Sequence, residues 1–185
     1  MWVAAVEVAT GVGLALAAWR LGWTWRLVPA VVLVAGLVAI TAVDVVHQRI
    51  PTRFAAVTGI VGAAAGIPAA LAADATGALV AAVVGAAGYG GFLTFLYLVS
   101  PSGLGGGDVR LAWLVGAVVG ALTWRAGQGA TAAIPPVLTT AVVAATIGLV
   151  THLAVALVGR RRRTLPFAPA MTVAALLVGL LAQPA

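Results

Sequence analysis

Long apolar runs follow one another along this 185-residue chain, and they constrain its fold more than any other feature. Hydrophobic residues make up 63% of the sequence and charged residues only 8%. Stretches of about 18 or more apolar residues with few charges are typical of membrane helices. The sequence has none of the alternation of apolar and polar residues that membrane β-strands require. It therefore predicts an all-α polytopic membrane protein.

About seven transmembrane helices are predicted from these runs, and together they form a single domain over residues 1–185. Neither a soluble tail nor a linker of biased composition separates them. Pro135 and Pro136 interrupt an over-long sixth run, because proline removes a helical hydrogen bond. The predicted spans are Val3–Ala18, Leu27–Val43, Phe54–Ala73, Gly77–Val99, Val109–Thr123, Val137–Val158 and Leu165–Leu181.

Arginines in the loops predict the orientation of these helices. Of the ten basic residues, all of them arginine, seven lie in the loops after the second, fourth and sixth spans, and three in the loops after the first, third and fifth. Because short cytoplasmic loops carry the excess of Arg and Lys, the first group should face the cytoplasm. This places the N-terminus inside and the C-terminus outside. The longest basic run, Arg160–Arg163, is expected to anchor the chain at anionic lipid.

Composition excludes several kinds of chemistry. The chain has no cysteine, so disulfides, zinc–thiolate sites, iron–sulfur clusters and cysteine nucleophiles are excluded. The formal charge of +6 comes from the loop arginines, and we expect no nucleic-acid partner. The first apolar run has no basic segment before it and no obvious small-residue cleavage site. It is therefore expected to be a retained helix and not a signal peptide.

Two of the four acidic residues, Asp44 and Asp108, are predicted to lie at the same membrane face. Asp44 closes the second span and Asp108 opens the fifth, and the two intervening crossings return the chain to the same side. Two close carboxylates in a partly dehydrated site cannot both ionise at low cost, so the pair can share a proton. The ionised partner can take a proton from water while the protonated one polarises a scissile carbonyl. This chemistry needs neither a metal nor a cofactor.

An alternative is that the carboxylates form interfacial ion pairs, Asp44 with Arg49 or Arg53 and Asp108 with Arg110. His47 lies three residues after Asp44, where it could contact that carboxylate or simply occupy the interface. Both possibilities remain open from the sequence.

A run of glycines, Gly103–Gly107 with one leucine inside it, precedes Asp108. The run removes side chains from the approach to the carboxylate, so another backbone could lie directly against it. We expect Gly105 and Gly107 to leave room for an extended substrate and to adopt φ values that are closed to other residues.

Three motifs give the chain a resemblance to a known family. Residues 105–110 fit the pattern G-x-G-D followed by an apolar residue and a base. Asp44 is followed by Ile50 and Pro51, as in an aspartate with Ile-Pro-Asn at the family's spacing, with Thr52 in place of Asn. Residues 165–169 are similar to a Pro-Phe-Gly-Pro signature with Ala168 in place of Gly. With these motifs the chain resembles the bacterial prepilin peptidases, which are aspartic membrane proteases of the G-x-G-D type.

The resemblance covers nearly the whole chain as one catalytic domain. It implies removal of the leader peptide from type IV prepilin-like precursors at the cytoplasmic face of the bacterial inner membrane. Asp44 and Asp108 would be the catalytic pair, without metal or cofactor, and the partners would be the precursors and the lipid bilayer. The residues implied in substrate binding are Gly105, Gly107, Arg110, Pro51, Pro166, Phe167 and Pro169.

Long members of the family carry an N-terminal cytoplasmic domain with paired cysteines, and they methylate the new N-terminus with S-adenosylmethionine. The present sequence has neither that domain nor a cysteine. It therefore resembles the short members that serve tight-adherence pili or similar filaments, and we expect no methyltransferase activity.

Two other classes of function compete with this interpretation. A proton-coupled transporter would use the same carboxylates, but it should place them near the bilayer midplane and often has two repeated halves. In this sequence the acids lie at span ends and no repeat is found. The third possibility is a catalytically silent membrane scaffold.

Overall fold

The computed structural model describes residues 2–100, 104–157 and 166–181, and in these ranges the chain is helical throughout, with short connecting turns. A 3₁₀ turn, Ala130–Ala133, leads into the sixth helix, and a π-helical segment, Leu177–Leu181, continues the seventh. The α-helices are α1 Trp2–Leu21, α2 Leu27–His47, α3 Thr52–Ala72, α4 Thr76–Val99, α5 Gly106–Thr123, α6 Ile134–Leu157 and α7 Ala168–Leu176.

The predicted all-α fold class is confirmed. Six helices of the described chain are long and apolar enough to cross a membrane, and the described part of the seventh, Ala168–Leu181, is a shorter apolar helix. Helix α2 extends beyond the predicted end of the second span at Val43 and ends at His47. Leu165 and Arg160–Arg163 lie outside the described residues.

Helix α5 is the centre of the bundle, since it packs against α2, α3, α4, α6 and α7. Its backbone touches that of α4: a Cβ atom at Gly116 would collide with the carbonyl oxygen of Gly85, and one at Gly120 with that of Ala81. Small residues allow this approach, as in other membrane helix pairs. Among the described helices, α4 and α5 therefore form the most extensive contact.

The largest apolar core lies between α5 and the neighbouring helices, and it extends up to the end of the bundle where α5 begins. It is formed by buried side chains of α2 to α7 and of the π-helical segment, and its larger members are Leu37, Ile40, Tyr89, Leu93, Leu111, Val115 and Met171.

Two arginines hold the opposite end of the bundle together. Arg20 donates hydrogen bonds to the carbonyl oxygens of Leu180 and Leu181, at 3.0 and 3.2 Å. Arg26 donates to those of Leu122 and Trp124, at 3.4 and 2.6 Å. The last carbonyls of a helix lack partners within it and carry its negative end, so cations stabilise them. Burial and the positive charge of Arg125 lower the pKa of Arg26.

We expect Gly116→Ala to destabilise the protein more than Gly91→Ala. The added methyl group at position 116 meets the backbone oxygen of Gly85, which cannot rotate away, whereas nothing lies within 4 Å of a Cβ at Gly91. Overpacking of this kind costs about 1–3 kcal/mol. Thermal unfolding in detergent measures the difference, and the gain in helix propensity is common to both variants. Equal unfolding temperatures would contradict the close α4–α5 contact.

Candidate active site

Asp44 lies in the last turn of α2, where its side chain is 5% exposed. Its Oδ2 atom accepts a hydrogen bond of 3.2 Å from the backbone N–H of Ala168, the first residue of α7. Amides in the first turn of a helix have no partner within the helix, and they lie at the positive end of its dipole. The carboxylate of Asp44 therefore occupies a place at the N-terminus of α7 that favours an anion.

The local sequence explains why α7 begins at this point. Pro169 lies in the first turn, where a missing N–H costs nothing and the fixed φ suits a helix. The carbonyl of Phe167 accepts from the N–H of Met171 at 3.2 Å. The ring of Phe167 packs on Gly148 of α6, where a Cβ atom would come within 2.7 Å of Cε2. Pro166, Phe167 and Pro169 are half-buried, and their role in substrate binding stays a prediction.

Asp108 is the third residue of α5, and its side chain is half-buried. Its backbone N–H donates to the carbonyl of Gly105 at 3.0 Å, so the carboxylate is held in the first turn of the helix. A Cβ atom at Gly105 would lie 2.8 Å from Asp108 Oδ2. Position 105 therefore has to be glycine for the carboxylate to keep this place.

Gly107 lies against Ile50 of the α2–α3 turn. A Cβ atom at Gly107 would lie 2.9 Å from the Cβ of Ile50, whereas one at Gly106 would have only the Tyr97 ring at 3.9 Å or more. The missing side chain at position 107 thus allows the α2–α3 turn to lie against α5.

The prediction of unusual φ values in this loop is wrong. Gly105 has φ −72° and ψ 135°, and the positive φ angles among the described glycines occur at Gly22 and Gly127. The reason is that Gly106 and Gly107 already belong to the regular helix α5. The substrate-binding role of Gly105 and Gly107 stays a prediction.

The turn between α2 and α3 is attached to α5 at a second point. Arg110 donates a hydrogen bond from Nη1 to Oγ1 of Thr52, the first residue of α3, at 2.6 Å. The carbonyl of Pro51 accepts from the backbone N–H groups of Phe54 and Ala55, both at 3.0 Å, and so starts α3. On the α2 side Gln48 adopts φ 50° and donates to the carbonyl of Asp44 at 2.7 Å. Residues 48–52 are therefore a fixed turn beside both carboxylates.

The ion pairs of the alternative interpretation do not form in the described part of the chain. Neither Asp44 nor Asp108 lies in a salt bridge there, and Arg110 bonds to Thr52 instead. His47 is exposed and makes no described hydrogen bond to Asp44.

The two carboxylates lie at one end of the bundle, because α2 ends there with Asp44, α5 begins there with Asp108, and the α2–α3 turn contacts the first turn of α5. The remaining acids lie elsewhere. Asp74 is exposed in the α3–α4 turn, which the 21 residues of α3 separate from this end by about 30 Å. Glu7 is exposed on α1. Within the described ranges no cluster of three or more His, Cys, Asp or Glu side chains is placed to hold a metal ion.

Sequence reasoning missed three polar residues near the pair. Tyr89 of α4 is 2% exposed and belongs to the apolar core that reaches the start of α5. Thr41 of α2 and Thr172 of α7 share a hydrogen bond of 2.8 Å between their hydroxyl oxygens. The available signal was position: Thr41 lies three residues before Asp44, on the same face of the helix.

The contact between Ile50 and Gly107 can be tested in this cysteine-free chain. We expect the double variant Ile50→Cys/Gly107→Cys to form a disulfide on mild oxidation of the purified protein. The two Cβ positions are 2.9 Å apart, so a small relaxation reaches the roughly 3.5–4.5 Å that a disulfide needs. Mass spectrometry of the peptides measures the bond. The matched control is Ile50→Cys/Gly106→Cys, whose second Cβ faces Tyr97; equal bond formation in both variants would contradict the arrangement.

Comparisons with known proteins agree with the motifs. The profile of the Type IV leader peptidase family (Peptidase_A24) matches residues 31–181. The prepilin leader peptidase/N-methyltransferase of Myxococcus xanthus (strain DK1622) is 36% identical over 132 residues, which are 67% of this chain and 36% of that protein. The chain thus spans 36% of the length of this curated relative. No solved structure matches the present chain. The family match includes both carboxylates and covers most of the sequence, and the chain belongs to the Type IV leader peptidase family.

Proposed function

We propose that the chain is an aspartic endopeptidase that removes the leader peptide from type IV prepilin-like precursors. Family membership supports the peptidase class, and the relative's name supports the substrate. The observation that carries the aspartic mechanism is that Asp44 at the end of α2 and Asp108 at the start of α5 lie at one end of the bundle, without an arginine partner in the described chain.

The proposed chemistry is water addition to a peptide carbonyl. Asp44 accepts the N–H of Ala168, an interaction that an ionised carboxylate makes best, so we assign it the role of the base. Asp44 takes a proton from water as the oxygen attacks the scissile carbon, and Asp108 donates its proton towards the carbonyl oxygen. When the tetrahedral intermediate breaks down, Asp44 gives the proton that it took from water to the leaving nitrogen, the C–N bond breaks, and Asp108 regains a proton from a hydroxyl of the intermediate as the C=O bond re-forms. The products are a new carboxyl terminus and a new amine.

The approach of the substrate is proposed along the glycines that precede Asp108. Gly105 is exposed and has no side chain that would cover the carboxylate, so an extended peptide can reach it there. Arg110, also exposed, is available to the leader at the rim of the site. Gly107 and Pro51 contribute by holding the α2–α3 turn, and Pro166, Phe167 and Pro169 by placing the start of α7.

Proton-coupled transport receives less support from the geometry. Asp108 is the third residue of α5, and Asp44 lies in the last turn of α2. Carboxylates that relay protons across a membrane belong nearer the middle of the spans.

We expect Asp44→Asn and Asp108→Asn each to lower precursor cleavage by about 100-fold or more, because each removes half of the acid–base pair. Asp74→Asn is the matched control, since Asp74 is exposed in the α3–α4 turn, away from the pair. The variants are co-expressed with a prepilin-like precursor, and loss of the leader is followed by mass spectrometry. If either Asp44→Asn or Asp108→Asn accumulates to the wild-type protein level and cleaves the precursor at the normal rate, the assignment is refuted.

We propose further that the protein lies in the bacterial inner membrane, with its N-terminus and the carboxylate pair on the cytoplasmic side. The distribution of loop arginines supports this orientation.

Single cysteines introduced at Thr52 and Asp74 should therefore react differently in intact cells. Both positions are exposed, and they lie at opposite ends of α3. An impermeant thiol reagent should label Asp74→Cys and leave Thr52→Cys unlabelled until the cells are opened. Labelling of Thr52→Cys alone would reverse the orientation and exclude a cytoplasmic site.

A further inference from the structure

A second polar contact joins α2 to α7, one helical turn below the hydrogen bond between Asp44 and Ala168. The hydroxyl oxygens of Thr41 and Thr172 lie 2.8 Å apart. Thr172 is only 4% exposed and Thr41 is half-buried. Thr41 precedes Asp44 by three residues, so the two lie on the same face of α2. Thr172 follows Ala168 by four residues, so these two lie on the same face of α7.

This pair differs from the usual behaviour of threonine in this bundle. A helical threonine commonly donates its hydroxyl to the carbonyl four residues earlier in its own helix. Seven described threonines do so, and the hydrogen bonds that they donate stay within their own helices: Thr10, Thr94, Thr123, Thr139, Thr140, Thr146 and Thr151. Thr41 and Thr172 bond to each other across the interface instead.

The rest of the core around this interface is apolar, and apolar contacts are non-directional, so they define the register of α7 along α2 less sharply than a hydrogen bond does. Leu37, Ile40 and Met171 are fully buried there. The bond from Ala168 to Asp44 is already 3.2 Å long, at the upper end of the usual range for N–H···O bonds. A slide of about 1 Å would break it.

We propose that Thr41 and Thr172 are positioning residues for the carboxylate of Asp44: their hydrogen bond sets the register of α7 so that the Ala168 N–H reaches Oδ2. The inference rests on the proposed function, in which Asp44 is the base. Neither threonine touches the substrate. Loss of the pair should therefore lower kcat and leave KM unchanged.

Thr172→Val and Thr172→Ser separate this role from packing. Valine keeps the shape of threonine and loses the hydroxyl, whereas serine keeps the hydroxyl and loses the methyl group. A misplacement of about 1 Å can cost about 100-fold in rate, so we expect kcat to fall by about 10- to 100-fold in Thr172→Val. Thr172→Ser should stay near the wild type. A packing role predicts the reverse order.

Thr140→Val is the matched control, because Thr140 is 0% exposed and donates to Pro136 within its own helix. Its kcat should stay near the wild-type value. In the single variant the hydroxyl of Thr41 loses its partner, which could itself destabilise the fold. The double variant Thr41→Val/Thr172→Val removes both hydroxyls, so no hydroxyl is left without a partner, and the hydrogen bond between the two helices is still absent. It should fold and still be slow.

Amide hydrogen exchange at Ala168, followed by NMR in detergent, reads the register without any substrate. We expect faster exchange in Thr172→Val and in the double variant, and wild-type exchange in Thr172→Ser and Thr140→Val. Unchanged exchange at Ala168 in Thr172→Val would overturn the inference, as would faster exchange with an unchanged kcat. If the wild-type chain cleaves no precursor, the proposed function fails, and the exchange rates alone still decide whether the threonine pair sets the register.

Discussion

A carboxylate buried in an apolar bundle is costly unless a polar group meets it, and the fold around Asp44 follows from this constraint. The group that meets it is the first amide of α7, at the positive end of that helix. Helix α7 must therefore begin beside the end of α2, at the level of Asp44 along the axis of the bundle. The Pro-Phe-Ala-Pro segment produces this start, with Pro169 in the first turn and Phe167 packed on Gly148.

The second carboxylate reaches the same place by close backbone packing. Gly85 and Gly116 bring α4 and α5 into contact, and Gly107 lets Ile50 lie on the first turn of α5. Glycine thus serves two purposes in α5: it allows two helices to meet, and it brings the α2–α3 turn to the side of Asp108. The candidate site is formed where three helix ends meet, and each end presents a different group: a buried carboxylate, a half-buried carboxylate and an amide.

Much of this arrangement follows from the sequence, because hydropathy specifies where helices cross and the number of crossings specifies which ends share a face. That reasoning placed Asp44 and Asp108 at one end. It did not find the partner of Asp44, since a backbone amide has no signature in the sequence. The ion-pair alternative failed for a related reason: whether Arg110 reaches Thr52 or Asp108 depends on how the α2–α3 turn folds back on α5.

The glycines illustrate a second limit of the sequence. A run of glycines indicates either an unusual backbone or a close neighbour, and composition does not distinguish these two cases. In the structure the close neighbour is the reason at both positions: the carboxylate of Asp108 lies next to Gly105, and Ile50 lies next to Gly107. Arg20 and Arg26 are a similar case. They entered the prediction only as markers of orientation, and in the fold they also satisfy the last carbonyls of two helices.

The central claim is that Asp44 and Asp108 act on each other as one pair, and their carboxyl groups can be observed directly. The chain contains only three aspartates, so ¹³C labelling of aspartate side chains gives three carboxyl resonances by NMR in detergent. Each can be titrated in the wild type and in Asp44→Asn. The account predicts that Asp44→Asn changes the titration midpoint of Asp108 and leaves that of Asp74 unchanged. An identical titration of Asp108 in both proteins would mean that the two carboxylates do not interact, and it would contradict the account.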